Sequence, residues 1–360
     1  MGRLVRVILY PADEGGCAYV RCQQPLRTSG VDGEIRMSVE MIGRGIREHR
    51  GATVVGERIV ERVAAPVDAD VVVFQRPPHR DTISFIEQYQ RQGVAVVVDV
   101  DDDLRAVHPQ NAAYPLHAGL VHPDVHAKFT ARCCALADLV TVSTPALAER
   151  YGAHGRVQVL PNCVPAAILD YPKCSDGHTV GWAGRVATHP GDLEVTRGGV
   201  GEALQDGWRF EVIGEAAGVR ERLHLPVEPD ETPWIESVED YHLALGRLTV
   251  GCVPLGDTAF NAAKSWLKGL EMAARGVPFV ASPRAEYQAL GLGLLAPDRA
   301  RNWRRALTDL MRDESLRVEM AEHGREVVRE SHTYERTGHL WAESWEQAVR
   351  NRASRSLVAA

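Results

Sequence analysis

The chain has 360 residues, 45 % hydrophobic and 25 % charged, with a formal charge of −7. These values exclude a disordered chain, which would be poor in apolar residues, and a collagen-like one, which needs periodic glycine. They also disfavour a strongly basic nucleic-acid binder, because neutralising phosphates takes a positive surface.

At roughly 150 residues per domain the length predicts about two domains. The segment Val5–Leu9 is read as a first strand. Arg6 interrupts its apolar run and no small-residue cleavage site follows, so no leader is expected. The longest apolar runs, Val71–Phe74 and Val94–Val98, are far shorter than the roughly 20 residues of a membrane span. Seven cysteines, odd in number and without a CxxC pair, fit reduced thiols and a cytoplasmic location.

After the first strand, the pair Gly15-Gly16 would let backbone approach a cleft or simply make a tight turn. Further strands are expected at Val71–Phe74, Val94–Val98, Leu139–Val142 and Val157–Leu160, with helices at Thr82–Arg91 and His126–Ala137 between them. The cluster Asp101, Asp102 and Asp103 follows a strand, and like charges so close need a partner. Three readings compete: a Mg or Mn site, recognition of sugar hydroxyls, and pairing with an arginine such as Arg76. His108, His117, His122 and His126 invite a zinc reading. Pro115 and Pro123 break any single helix and no Cys lies at ligand spacing, so the histidines are read as lining a loop over the cleft. Cys133 and Cys134 are read as small buried hydrophobes.

Pro161–Asp176, rich in proline and without periodicity, reads as a linker. Beyond it strands are expected at Thr179–Trp182, Phe210–Ile213, Thr249–Val253 and Pro278–Ala281, and a helix at Trp266–Arg275. Fully apolar strands alternating with helices indicate parallel sheets covered on both faces. The fold class expected is α/β with two doubly wound domains. Ligands of such sheets bind beyond the carboxyl ends of strands. The charge-laced tail carries Trp341 and Trp345 at i, i+4, an anchor for packing.

Only four of the 41 cationic side chains are lysines: Lys128, Lys173, Lys264 and Lys268. Asn261 is read as an N-cap, which places Lys264 in the first turn of a helix with Lys268 and Glu271 on one face. Two lysines at a helix start oppose the macrodipole, so an external anion is expected there. A diphosphate fits, and Glu271 could accept hydrogen bonds from ribose hydroxyls. The competing reading is a solvated helix face with a Lys268–Glu271 pair, which contributes only a few tenths of a kcal/mol. Gly184-Arg185, at the end of a strand, could bring backbone and a guanidinium fork onto a phosphate, or be only a turn.

The residues Gly184-Arg185, Val212-Ile213-Gly214-Glu215 and Phe260 to Ser282, with Ala137 to Thr144 and Leu160-Pro161-Asn162, resemble GT-B glycosyltransferases of the family 4 type. The run Asn261-Ala262-Ala263-Lys264-Ser265 with Lys268 is similar to a bacterial and bacteriophage subgroup. The resemblance implies two facing Rossmann-like domains: 1–165 on the acceptor side and 166–339 binding the nucleotide sugar. A C-terminal helix at about 340–360 would pack back on the first. It implies hexosyl transfer from a UDP- or GDP-sugar with retention, no cofactor or metal, and no stable nucleic-acid or membrane partner. By position it gives the donor ribose to Glu271 and the diphosphate to Arg185, with Gly15 and Gly16 near the transferred sugar. Around them the donor site is expected to include Gly184, Gly214, Lys264, Ser265 and Lys268, the two lysines replacing a charge the family carries elsewhere. Arg185, Lys264 and Lys268 are expected to carry the catalysis. The acceptor side would hold Arg76, Asp101, Asp102, Asp103 and His108. The family's first paired Glu falls at Ala263, and its Lys five residues after the Arg falls at Pro190. Two rivals stay open: a phage-type enzyme glycosylating modified DNA bases, and a non-catalytic binding protein of the same fold. A nicotinamide oxidoreductase is disfavoured because no GxGxxG follows the first strand.

Overall fold

The computed structural model describes residues 5–47, 59–120, 125–204 and 207–359. Its strands in chain order begin with β1 (Arg6–Tyr10), β2 (Asp32–Ile35), β3 (Met41–Arg47), β4 (Ile59–Ala64), β5 (Val71–Gln75), β6 (Ala95–Val100), β7 (Leu139–Val142) and β8 (Val157–Val159). There follow β9 (Thr179–Arg185), β10 (Arg209–Glu215), β11 (Asp230–Thr232), β12 (Val250–Val253), β13 (Phe279–Ala281) and β14 (Leu294–Leu295). Two six-stranded parallel sheets result, in the orders β2-β1-β5-β6-β7-β8 and β11-β10-β9-β12-β13-β14. The pair β3–β4 is antiparallel and separate. Parallel strands require crossovers, which lay helices on both faces, so central strands must be apolar on both sides. Accordingly β5, β6, β7, β12 and β13 are buried along their whole length.

Each sheet reverses its winding once. The chain steps outward from β1 to β2 and returns to β5; it steps outward from β9 through β10 to β11 and returns to β12. At such a switch point the loops leaving neighbouring strands diverge, and a crevice opens at their carboxyl ends.

Four apolar clusters fill the sheet faces. On one face of the first sheet Ile8, Val72 and Val96 pack with Phe85, Ile86, Tyr89, Cys133 and Cys134. On the other, Val7, Leu9, Val71 and Val73 are covered by Trp341, Trp345 and Ala348 of the helix Tyr334–Ala359. That helix lies so close to the segment it covers that a Cβ on Gly338 would fall 2.5 Å from the Thr28 carbonyl oxygen. The second sheet carries Ala183, Ile213 and Val253 against Leu270 and Met272 on one side, and Trp182 and Val212 against Trp303 and Leu307 on the other.

The two crossings between the sheets run side by side. The Val164 amide donates to the His332 carbonyl at 3.0 Å, and the Tyr334 amide to the Val164 carbonyl at 3.0 Å. Beside them Arg21, in the π-helical turn Tyr19–Gln23, is fully buried. Its guanidinium forks onto Asp99 at 3.0 and 2.7 Å and donates to the Leu160 carbonyl and to Asn162 Oδ1. It also lies 4.5 Å from the ring centre of Trp341.

Two features depart from expectation. Asn261 is not an N-cap: Asn261–Ala263 is a 3-10 turn, and the helix begins at Leu267 after Trp266. The short polar strands β2 and β11 lack the apolar signature that marks the other strands. The stretch read as a linker runs between β8 and β9 and contains the 3-10 turn Ala166–Asp170, with Ile168 and Leu169 buried. His122 lies outside the described residues. No helix among the described residues is long and apolar enough to cross a membrane.

Candidate active site

The switch point between β9 and β12 is built around two paired glycines. Gly184 at the end of β9 lies opposite Gly214 on β10, and a Cβ on Gly214 would fall 2.1 Å from the Gly184 carbonyl oxygen. A Cβ on Gly184 would meet the Trp182 ring at 2.7 Å and Lys268 Nζ at 2.9 Å. Glycine here lets the ammonium lie against backbone.

Lys268, in the first turn of the helix Leu267–Ala274, donates to the Ala183 carbonyl at 2.8 Å and to His189 Nε2 at 3.2 Å. It sits 5.4 Å from the ring centre of Trp182. Among the described residues no carboxylate lies within ion-pair distance of it. Burial, and then the nearby Lys264 charge, push its pKa down to about 8. Asp192 and Glu271, farther off, pull the other way without restoring it. A cation with no carboxylate in direct contact at the mouth of a sheet crevice is suited to receive an anion.

His189 accepts from Lys268 and is therefore protonated at Nδ1, which donates to Asp192 Oδ2 at 2.8 Å. Burial and the Lys268 charge push its pKa down to about 4, so the ring is neutral at pH 7. Burial pulls the Asp192 carboxyl upward, but hydrogen bonds from His189, the Gly256 amide and Asn261 outweigh it and hold it low. Asn261 Nδ2 reaches Asp192 Oδ1 at 2.6 Å, and the Gly256 amide reaches the same oxygen at 2.8 Å. The polar side chain read as a cap thus ties the loop after β12 to the segment after β9.

Lys264 lies in extended backbone after the 3-10 turn, not in a helix. Its ammonium meets Asp102 Oδ1 of the first sheet's loops at 3.1 Å and the Phe260 ring at 4.5 Å. Burial lowers its pKa, but the Asp102 carboxylate more than offsets this and raises it. Ser265 Oγ accepts from Asn162 Nδ2 at 2.8 Å, so it joins the crossing segment. The Ala263 carbonyl accepts from Thr144 Oγ1 at 3.0 Å.

Glu271 is buried one turn beyond Lys268. Its two oxygens face Tyr241 Oη at 3.2 Å and His242 Nε2 at 3.3 Å. Arg185 does not join the lysines: its guanidinium pairs with Glu215 at 2.6 Å and lies 5.0 Å from the ring centre of Trp234.

On the facing side, the β1–β5 switch point holds Asp13, Gly15, Gly16 and Arg76. Asp13 Oδ1 accepts from the Gly15 and Ala18 amides, and Oδ2 pairs with Arg76 at 2.7 Å. A Cβ on Gly16 would meet nothing within 4 Å, so protein packing does not demand glycine there. Arg76 has φ 41°, an unusual backbone state for a bulky residue. Its guanidinium bridges Asp13 and Asp101, the latter at 3.1 Å. Burial, against the pull of Arg76, raises the Asp101 pKa. Asp103 pairs with Arg150 and accepts from Tyr151 Oη at 3.1 Å. Each aspartate of the cluster therefore has its own cation, and among the described residues no group of three or more His, Cys, Asp or Glu could hold a metal. His108 Nδ1 accepts from the Gln110 amide in a loop that reaches the 3-10 turn after β9, where the Ala112 amide donates to the Ala187 carbonyl at 2.9 Å. His117 and His126 meet edge to face at 5.8 Å, and burial pushes the His117 pKa down to about 4.

The sequence reading assigns no site role to Asp13, His189, Asp192, Tyr241 or Trp234. For His189 and Asp192 the i, i+3 spacing just after Gly184-Arg185 was the available signal; Tyr241 and His242 offer none, because they meet Glu271 only through the fold.

A family model described as Glycosyl transferase-like matches residues 199–343. No curated protein matches the sequence. Among solved structures, Anabaena HepE in complex with UDP and glucose is 10 % identical with a TM-score of 0.62, covering 96 % of this chain and 100 % of that one. The E. coli trehalose-6-phosphate protein bound with UDP-2-fluoro glucose is 12 % identical with a TM-score of 0.57, covering 96 % and 98 %. TarM is 13 % identical with a TM-score of 0.56, covering 76 % of this chain, which spans only 54 % of TarM's length. The chain has the GT-B fold, with a glycosyl transferase-like pattern over residues 199–343 of its second half.

Proposed function

We propose that the chain is a glycosyltransferase that moves a sugar from a nucleotide-sugar donor to an acceptor hydroxyl, and that it resembles family 4 in doing so with retention. The observation that carries this is the Lys268 ammonium at the β9–β12 switch point, with no carboxylate in direct contact among the described residues, Lys264 nearby and Glu271 one turn on. The UDP held by HepE and by other neighbours of the same fold supports a nucleotide donor.

When the bond between the anomeric carbon and the diphosphate oxygen breaks, its electron pair goes to that oxygen. Lys268 and Lys264 would stabilise the growing negative charge, with Arg185 swinging in from Glu215; such preorganised groups are each worth roughly 10²–10³ in rate. The acceptor oxygen forms the new bond on the face the diphosphate leaves, and its proton passes to the departing phosphate. Glu271, held by Tyr241 and His242, retains lone pairs for ribose hydroxyls. On the acceptor side Arg76, Asp101 and Asp102 offer hydrogen-bonding groups for sugar hydroxyls. Because Asp101, Asp102 and Asp103 are each matched by a cation, we assign them no metal.

Calorimetric titration with a panel of nucleoside diphosphates tests the reading. Glu271→Ala should weaken the best one about tenfold or more while leaving pyrophosphate binding unchanged; failure of every diphosphate to bind the parent protein refutes it. A second reading is a non-catalytic binding protein. The position of the family's first paired Glu is Ala263, fully buried and bound through its carbonyl to Thr144, where it has no group to offer a sugar. Diphosphate binding without release of nucleoside diphosphate from any nucleotide sugar would favour it.

A further inference from the structure

We propose that Trp234 is the platform on which the donor's nucleobase stacks, with Arg185 clamped between that base and the diphosphate; this rests on the donor reading above. The 22 Phe, Trp and Tyr residues all lie among the described residues, and of them Trp234 alone is exposed, at 51 %. Burying a tryptophan is strongly favourable, so leaving one open wastes a large apolar surface unless something covers it.

Its position supplies the reason. Trp234 follows the edge strand β11, yet its ring meets the guanidinium of Arg185, the last residue of β9. Ile235 is packed on the apolar cluster that contains Ala183 and Leu270, which anchors the segment beside the Lys268 helix. Further along, Tyr241 reaches Glu271. Trp234 is thus tied through Arg185 to the strand end beside Lys268, and the segment that follows it is tied through Tyr241 to Glu271.

Arg185 connects Trp234 to the end of β9. It follows Gly184, whose backbone adjoins Lys268, and its guanidinium lies over the Trp234 ring while pairing with Glu215. A planar cation already stacked on the indole marks a face that accepts a flat, polarisable partner. Any base presents such a face, so stacking provides affinity without choosing the base. Choice among bases then falls to polar groups beside the indole.

The test separates the base from the diphosphate. The parent protein, Trp234→Ala, Trp234→Phe and Lys268→Ala are each titrated calorimetrically with the tightest-binding nucleoside diphosphate and with inorganic pyrophosphate. Trp234→Ala should weaken the nucleoside diphosphate about tenfold or more, Trp234→Phe about threefold or less, and neither should change pyrophosphate binding. Lys268→Ala should weaken both. Equal nucleoside diphosphate binding by Trp234→Ala and the parent overturns the platform, as does an equal loss for pyrophosphate, which would mean that Trp234 only positions Arg185. If the parent binds pyrophosphate but no nucleoside diphosphate, the platform falls with it. If it binds neither, the donor reading itself is wrong.

Discussion

Replacing Lys268 with methionine should move stability and binding in opposite directions. The ammonium is buried with a carbonyl, an imidazole and an indole around it, and its pKa falls from 10.5 to about 8. Between those values the unfolded chain binds more protons than the folded one, so stability rises with pH across that window. Below pH 8 the full cost of burying the charge is present, about 3 kcal/mol for a shift of this size. Methionine removes that cost and gives up a hydrogen bond to Ala183 of about 1 kcal/mol. The unliganded variant should therefore be more stable at pH 7 by about 2 kcal/mol, which raises Tm by several degrees at ~2–4 °C per kcal/mol. A diphosphate gains a charge-assisted hydrogen bond from Lys268, worth about 1.5–3 kcal/mol. Its affinity should fall roughly 10- to 150-fold in the variant. Parent affinity should also decline as pH rises above 8 and Lys268 loses its proton, while the variant loses this dependence. Scanning calorimetry without ligand and titration calorimetry between pH 6.5 and 9.5 read both effects. A variant with lower Tm and undiminished diphosphate affinity would refute the idea that the fold tolerates this charge for an anion.

Two further substitutions address other parts of the molecule. Asp102→Asn removes the carboxylate that holds Lys264 across the cleft at 3.1 Å, so diphosphate affinity should rise by about threefold, in keeping with a partly exposed ion pair worth under about 1 kcal/mol; weaker binding by titration would show that Asp102 positions Lys264 instead of competing for it. Arg21→Met leaves Asp99 buried with only the Thr141 hydroxyl at 2.7 Å, and urea unfolding should show a loss of about 3–5 kcal/mol that the double variant Arg21→Met/Asp99→Leu largely restores; a single-variant loss below about 1 kcal/mol would contradict this.

The central strands were legible because burial on both faces leaves few polar positions to blur them: none in Val71–Phe74 and only Thr141 in Leu139–Val142. Edge strands pair on one side only, and Asp32-Gly33-Glu34 and Asp230-Glu231-Thr232 read as loop. The spacing of Lys268 and Glu271 was legible because it follows from helix geometry alone. Lys264 was misplaced because the asparagine read as a helix cap spends its amide on Asp192, 69 residues earlier in the chain. Local propensity cannot see such a partner. The same limit hid His242 behind Glu271 and the Glu215 hold on Arg185, since both contacts exist only once separate strands have been aligned.

The cover supplied by Trp341 and Trp345 bears on how the molecule is made. Synthesis delivers Val7 and Leu9 more than 300 residues ahead of the indoles that shield them. Until then one side of the earlier sheet faces water, and the nascent polypeptide carries an adhesive surface. Cooperative closure of the amino-terminal half waits for the helix Tyr334–Ala359, so deleting that helix should destabilise the earlier sheet and not only the later half that encodes it.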